Sequence, residues 1–122
     1  MGLKVSDAEF RRWVESGLVT DDAQPRGPAV DCDEETLQAE IIKLAKQRGF
    51  LCYHTHDSRR SAAGFPDLFL IRGKKYLFAE LKKIGKQPTK EQESWIDALR
   101  FAGVPTYVWT SRDWQTICEV LR

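Results

Sequence analysis

At 122 residues the chain is long enough for one domain that buries a hydrophobic core without disulfide bonds or a structural metal. Hydrophobic residues make up 42% and charged residues 30% of the sequence, which excludes global disorder, and no apolar run approaches the roughly 18 residues of a membrane span. Three widely spaced cysteines and an N-terminus without the apolar core of a secretory signal predict reduced thiols and a cytoplasmic protein.

The formal net charge of +1 conceals an uneven distribution of charge along the chain. Residues 1–40 carry four basic and ten acidic side chains, whereas residues 41–122 carry fifteen basic and eight acidic ones. The stretch 43–90 is the most basic, with twelve basic side chains against three acidic ones. Such a segment is either a polyanion-binding surface or a lysine-rich solvated face, and charge alone does not separate the two.

Residues 1–32 are predicted to form an N-terminal helix and an acidic linker. Ser6 and Glu9 have the spacing of a capping box, and the apolar residues that follow predict an amphipathic helix over residues 7–16. The prolines, glycine and aspartates of TDDAQPRGPAVDCD predict a linker that leads into a second unit, residues 33–122.

From residue 33 onward the hydrophobic pattern predicts three helices and four strands. Gly49 and Gly103 end the two longer helices, and short runs rich in β-formers define the strands. The predicted elements, in chain order, are a helix at 34–48, strands at 50–55, 66–71 and 75–82, a helix at 90–102, a strand at 105–110 and a helix at 112–121. The order αβββαβα indicates an α/β (α+β) fold with a mixed central sheet.

The second and third strands are predicted to form a tight hairpin. Gly73 and Lys74 have the pattern of a two-residue type II′ loop, which requires glycine at its first position. This loop sets a register in which Asp67 lies opposite Glu80, with Cβ atoms roughly 5 Å apart, and Lys82 projects from the same face.

Two carboxylates that face each other on apolar strands repel, so the pair favours a functional site. Carboxylate oxygens suit Mg²⁺ or Mn²⁺. A cation held there can polarise a phosphoryl oxygen and lower the pKa of bound water, while Lys82 steadies the nucleophile or the charge that develops at phosphorus. The pair therefore predicts phosphodiester hydrolysis. The alternative is an aspartate at a strand start and a Glu–Lys pair at a strand end, both partly solvated.

The same residues resemble a known nuclease motif. The Pro-Asp at 66–67 and the Glu-Leu-Lys at 80–82 are similar to the PD-(D/E)xK nuclease core. The longer pattern of GFPD, AELK, Thr-x-x-Gln and Ala-Gly resembles the VRR-NUC branch of that superfamily, in particular its small standalone proteins in phages and bacteria. The resemblance covers residues 36–121 and implies a restriction-endonuclease-like fold.

The resemblance implies a role for each residue that matches the motif. Asp67 and Glu80 look like metal ligands, joined by the backbone carbonyl of Leu81. Lys82 looks like the catalytic lysine. Gln92 is similar to the family's active-site glutamine, although it also stands at the third helical position, where it can complete a capping box.

The related nucleases also carry an acidic residue on the first core helix. Counted back from the stop at Gly49, the matching position here is Gln38, which is not acidic. The resemblance therefore leaves the third acidic ligand open: either Glu40 or Glu35 substitutes for it, or one metal site is weaker.

Several other residues are candidates for contacts with a substrate. His54 is either an active-site residue or a structural histidine, and a zinc site with Cys52 and His56 is disfavoured because three ligands in a row do not converge. Candidate contacts to a nucleic-acid backbone are basic side chains close to the motif: Arg59, Arg60, Lys83, Lys86 and Lys90. The tryptophans in apolar segments are predicted to be core residues: Trp95, Trp109 and Trp114.

These observations predict a Mg²⁺- or Mn²⁺-dependent endonuclease that hydrolyses DNA and whose binding weakens with salt. The resemblance implies branched DNA as substrate, such as a four-way (Holliday) junction, and cleavage of two strands favours a homodimer. One alternative is a catalytically inactive DNA-binding module on a nuclease fold. A second alternative is a phage regulatory protein that acts through its acidic N-terminal helix.

Overall fold

A computed structural model describes residues 25–55 and 62–122. The helix predicted over residues 7–16 lies outside the described residues, as do His56, Arg59 and Arg60. Among the residues described, no helix is both long and apolar enough to cross a membrane.

Every element predicted from residue 33 onward is present, with ends that differ from the prediction by at most two residues. The elements are α1 (Glu34–Gln47), β1 (Leu51–His54), β2 (Leu68–Arg72), β3 (Lys75–Leu81), α2 (Lys90–Phe101), β4 (Thr106–Trp109), a 3₁₀ turn (Ser111–Asp113) and α3 (Trp114–Val120). The predicted last helix is divided in two because Thr110 and Asp113 cap a separate 3₁₀ turn before α3 begins.

Local chemistry accounts for the ends of the two long helices. Asp33 caps α1 by accepting a 2.7 Å hydrogen bond from the backbone nitrogen of Thr36. Both helices end in a glycine with a left-handed backbone, Gly49 at φ 85° and Gly103 at φ 84°. The next residue donates back to the last turn, as in a Schellman motif, from Phe50 to Ala45 and from Val104 to Leu99: both bonds are 2.9 Å long.

The four strands form one mixed sheet in the order β1-β2-β3-β4. β1, β2 and β3 are antiparallel neighbours, whereas β4 lies parallel to β3. A parallel neighbour needs a crossover connection, which α2 supplies between β3 and β4. The predicted mixed sheet is thereby confirmed.

The β2–β3 hairpin has the predicted register. Arg72 pairs with Lys75, and the ladder continues to Leu68 opposite Ala79. Gly73 has φ 59°, and no non-glycine residue in the described part of the chain has a positive φ. Lys74 therefore does not adopt the left-handed conformation that a type I′ turn requires, in agreement with a type II′ turn.

One face of the sheet carries the main hydrophobic core. The buried residues that point to this face are Leu68 and Leu70 of β2 and Leu77, Ala79 and Leu81 of β3. The apolar stripe of α1 and the buried side of α3 cover them. The α1 stripe consists of the four residues predicted from the periodicity: Leu37, Ile41, Leu44 and Ala45.

The opposite face is covered only in part, by α2. Phe65 packs edge-on against Trp95 of α2, with ring centroids 5.1 Å apart, and against Phe78 of β3, at 5.6 Å. Toward the β1 edge, the described residues leave this face uncovered, and Leu51 and Tyr53 are 60% and 58% exposed. This half-covered face is the one to which the register assigns Glu80.

Residues 25–32, predicted as linker, lie against α3. The indole Nε1 of Trp114 donates a 2.8 Å hydrogen bond to the carbonyl of Pro25, and the hydroxyl of Ser111 donates to the carbonyl of Val30. Gly27 lies flat on the indole, where a Cβ atom would stand 2.6 Å from the ring. Trp114 thus attaches this segment to the domain.

Candidate active site

Asp67 lies immediately before β2 and is held by its neighbours on both sides. Thr55, which follows β1, donates its backbone nitrogen to the carbonyl of Asp67 at 3.1 Å. On the other side, Asp67 Oδ2 accepts a 2.9 Å hydrogen bond from the backbone nitrogen of Leu81, next to Glu80. Continued by one pair beyond Leu68, the hairpin ladder sets Asp67 opposite Glu80, as predicted.

Glu80 is the most deeply buried acid of the site, with 1% of its surface exposed. Its Oε2 accepts a 2.9 Å hydrogen bond from Nε2 of Gln92 and lies 3.7 Å from Nζ of Lys82. Its Oε1 is buried and accepts no hydrogen bond from a donor among the residues that the structure describes, and the carboxyl group of Asp67 lies within hydrogen-bonding reach of Glu80. A buried oxygen without a partner is costly, so Oε1 is a ready ligand for a cation.

The two carboxylates perturb each other. Burial, followed by the negative charge of Asp67, raises the pKa of Glu80 from its ordinary 4.5 to about 8. Burial also raises the pKa of Asp67, although the hydrogen bond from the backbone of Leu81 opposes that shift. A pair that resists ionisation in the metal-free state is typical of a site that a positive charge completes.

Gln92 completes the helix cap and also contacts Glu80. Its Oε1 accepts a 2.8 Å hydrogen bond from the backbone nitrogen of Thr89, and its backbone nitrogen donates to Thr89 Oγ1 at 3.2 Å, which completes the capping box of α2. The backbone N–H of Thr89 can only donate, so the oxygen Oε1 of Gln92 must face it. This leaves Nε2 of Gln92 directed toward Glu80. The helix cap therefore orients the amide group of Gln92 that donates a hydrogen bond to Glu80.

A third carboxylate near the pair comes from Glu34, which the sequence analysis did not single out. Glu34 is the first residue of α1, and its Oε2 accepts a 3.3 Å hydrogen bond from the backbone nitrogen of Lys83. Its negative charge contributes to the raised pKa of both Asp67 and Glu80. With Lys82, the site holds three carboxylates and one ammonium.

The three α1 residues proposed from sequence lie at other positions on the helix. Glu40 lines a groove of about 270 Å³ beside Trp114, on the α1–α3 side of the molecule. Glu35 is exposed. Gln38 is half-buried one turn after Glu34. Glu34 lies one helical turn before Gln38, and this spacing is the sequence signal that could have predicted it.

Asp67 and Glu80 are the side chains that can hold a metal ion. Within residues 25–55 and 62–122, no group of three or more His, Cys, Asp or Glu side chains is arranged to hold one. The remaining positions would fall to water, substrate phosphate and a backbone carbonyl, which is the way Mg²⁺ is often bound. The carbonyl of Leu81 stays a prediction. Its side chain is buried in the core on the opposite face.

The other predicted residues are distributed around this centre. Cys52 and His54 pair with Leu70 and Leu68, so the register places them on the core face, away from the carboxylates. The predicted phosphate contacts that it describes are all exposed, on the loop after β3 and at the start of α2: Lys83, Lys86 and Lys90.

The tryptophans pack inward as predicted. Trp109 is fully buried in the core. Trp95 is half-buried against Phe65, and Trp114 is half-buried against residues 25–27.

Comparison with known proteins identifies the family and the fold. A solved structure described as a VRR_NUC domain matches with a TM-score of 0.51 and 26% sequence identity, and the match covers 66% of this chain and 92% of that one. No curated protein matches the chain. The family model of the VRR-NUC domain matches residues 9–113. The chain has a nuclease-type fold and belongs to the VRR-NUC domain family.

Proposed function

We propose that the protein is a Mg²⁺- or Mn²⁺-dependent endonuclease that hydrolyses phosphodiester bonds in DNA. The observation that supports this most directly is the buried Glu80: Gln92 donates to one of its oxygens, and within residues 25–55 and 62–122 the other accepts no hydrogen bond. A structural carboxylate would have both oxygens satisfied or exposed to water. An unsatisfied oxygen with a second carboxylate, that of Asp67, beside it fits a divalent cation whose remaining ligands are water and substrate phosphate.

A cation bound by Asp67 and Glu80 would polarise a phosphoryl oxygen and lower the pKa of a bound water. The chain's own residues supply the rest of the chemistry. Lys82 is mostly buried, and its Nζ lies 3.7 Å from Glu80, so its charge acts at short range on the nucleophile and on negative charge at phosphorus. Gln92 fixes the orientation of Glu80.

We further propose that the exposed lysines beside the site contact the DNA backbone. Lys83 and Lys86 lie on the loop that follows β3, and Lys90 begins α2. Their charges therefore lie beside the candidate active site. Phosphate contacts from these lysines make binding salt-dependent. The proposed substrate is branched DNA, including the four-way junction, which the family resemblance favours.

A homodimer is part of the proposal, because cleavage of two strands needs two sites. Within the described residues, β1 pairs only with β2, and its free edge adjoins the exposed Leu51 and Tyr53. A second copy that covers this apolar edge would relate the two sites by a twofold axis. Sedimentation equilibrium tests this point: a monomer for the wild type at micromolar concentration excludes it, and Tyr53→Lys is expected to weaken the dimer.

The decisive experiment compares cleavage of linear, flapped and four-way DNA in Mg²⁺, Mn²⁺ or EDTA at two salt concentrations. We expect cleavage that requires the cation, with Glu80→Gln and Lys82→Ala reduced at least about a hundredfold. Exposed residues of the same types provide matched controls, Glu119→Gln and Lys74→Ala, and both are expected to retain activity.

Two results would reject the endonuclease. Cleavage that persists in EDTA or in Glu80→Gln would not come from this site. DNA binding without cleavage on any substrate, and unchanged by Glu80→Gln, would support the alternative of an inactive DNA-binding module.

A further inference from the structure

Gly64 belongs to the GFPD run and makes an unusually close backbone contact. Its φ is 83°, in the left-handed region that favours glycine. A Cβ atom at this position would lie 2.5 Å from the carbonyl oxygen of Glu91 and 2.6 Å from the backbone nitrogen of Gln92. Since these are backbone atoms of a helix, they cannot rotate away from a side chain. Only glycine permits this approach.

The peptide that Gly64 touches is the one that carries the active-site amide. The nitrogen of Gln92 donates to Thr89 Oγ1 in the capping box, and the Gln92 side chain bridges from the backbone of Thr89 to Glu80. On its own side, Gly64 lies three residues before Asp67. The contact therefore joins the segment that bears Asp67 to the helix turn that bears Gln92.

The residue after Gly64 reinforces the same contact. Phe65 packs edge-on against Trp95, one turn further along α2, with ring centroids 5.1 Å apart. Together the glycine and the aromatic pair set the distance between the loop and the start of α2. That distance decides whether Nε2 of Gln92 reaches Oε2 of Glu80, a bond of 2.9 Å.

We propose that Gly64 is a positioning residue of the active site: by allowing backbone contact between the Asp67 loop and the first turn of α2, it holds Gln92 against Glu80. This inference rests on the proposed nuclease function. Gly64 touches neither substrate nor metal, and its effect passes through Gln92.

The test uses two glycines with nearly equal backbone angles. Gly64→Ala introduces both left-handed strain and the collision with α2. Gly103→Ala introduces the same strain at φ 84°, but its Cβ meets nothing within 4 Å. The difference between the two variants isolates the close contact. Phe65→Leu is a milder variant that loosens the same contact without a collision, in case Gly64→Ala does not fold.

The expected result is a fall in kcat specific to the contact. Gly64→Ala should lower kcat about ten- to hundredfold relative to Gly103→Ala, with KM for DNA little changed, because a hydrogen bond to a charged group is lost at the reacting centre. Phe65→Leu should lower kcat in the same direction by less. When Gln92→Ala is already present, Gly64→Ala and Phe65→Leu should not lower kcat further. If Gly64 were merely structural, each substitution would lower kcat equally in the wild type and in Gln92→Ala.

A second readout does not depend on activity. Amide hydrogen exchange at the backbone nitrogens of Thr89 and Gln92 should accelerate in Gly64→Ala and not in Gly103→Ala, because the capping box opens. Equal kcat in the two glycine variants, an undiminished effect in the Gln92→Ala background, or unchanged exchange would each overturn the role of Gly64. If the wild type cleaves no DNA, the nuclease proposal fails, and exchange at these two amides still decides whether Gly64 holds the turn.

Discussion

Replacing Glu80 by glutamine is expected to stabilise the metal-free protein while it abolishes cleavage. The physical reason is the cost of ionising a buried acid beside two other carboxylates. The pKa of Glu80 is raised from 4.5 to about 8, so its contribution to folding is unfavourable: it is absent below pH 4.5, grows as the pH rises and is complete above about pH 8. From 4.5 to about 8 the cost has an upper bound of about 5 kcal/mol.

Glutamine removes that cost but keeps the shape of the side chain. Its Oε1 can accept from Gln92 as Glu80 does, and its NH₂ group can donate to Asp67. The loss of the Lys82 contact opposes part of the gain, because the ammonium loses one of its neighbouring negative charges. We therefore expect a net stabilisation of about 1–3 kcal/mol, or a rise in Tm of about 4–10 °C.

The measurement is thermal unfolding of the wild type, Glu80→Gln and the exposed control Glu119→Gln, at pH 8 and pH 5, in EDTA and in Mg²⁺. In EDTA, Glu80→Gln should melt above the wild type at pH 8, and the gap should shrink at pH 5, where folded Glu80 keeps its proton. Mg²⁺ should raise the Tm of the wild type more than that of the variant. A variant that melts at or below the wild type in EDTA at pH 8 would refute the reasoning.

Three further predictions test the site and its support. Gln92→Glu keeps the capping box but sets a negative charge against the buried glutamate, so kcat should fall at least about tenfold and the Tm in EDTA at pH 8 should fall as well; retained activity would contradict this. Lys83→Ala with Lys86→Ala should reduce the salt slope of DNA binding, measured by fluorescence anisotropy, by about two, whereas Lys74→Ala at the far hairpin should not. Gly27→Ala should destabilise the fold by about 1–3 kcal/mol in chemical denaturation and leave kcat unchanged, because the methyl group meets the rigid indole beneath it; an unchanged midpoint would show that residues 25–32 do not pack there.

The hairpin shows why part of the site was predictable from the sequence. A two-residue loop with glycine first leaves one turn type, and that turn type sets one register, so every later pair follows. Asp67 and Glu80 were brought opposite each other by chemistry within fifteen residues of chain. The helix stops at Gly49 and Gly103 were predictable for the same reason, because a C-terminal glycine acts on the turn directly before it.

The third carboxylate shows what periodicity leaves open. Helical spacing relates Gln38 to Ile41 and to the core, but it gives only the rotation of the helix about its axis. The position of α1 along its own axis, relative to the sheet, decides which of its turns lies beside the carboxylates. The contact between Glu34 and the backbone of Lys83, two residues forty-nine positions apart, shows where α1 lies along the sheet. No local pattern contains it.

The sequence by itself determined the order of elements, their caps and the hairpin register, because each depends on backbone preferences and hydrogen bonds between residues close in the chain. Only the tertiary structure decided that β4 joins the sheet beside β3, that Glu34 supplies the third charge, that Gln92 caps its helix and holds Glu80 at once, and that Gly64 lets two segments touch. Those outcomes depend on how separately formed elements pack, and packing is set by long-range contacts whose partners no local pattern names.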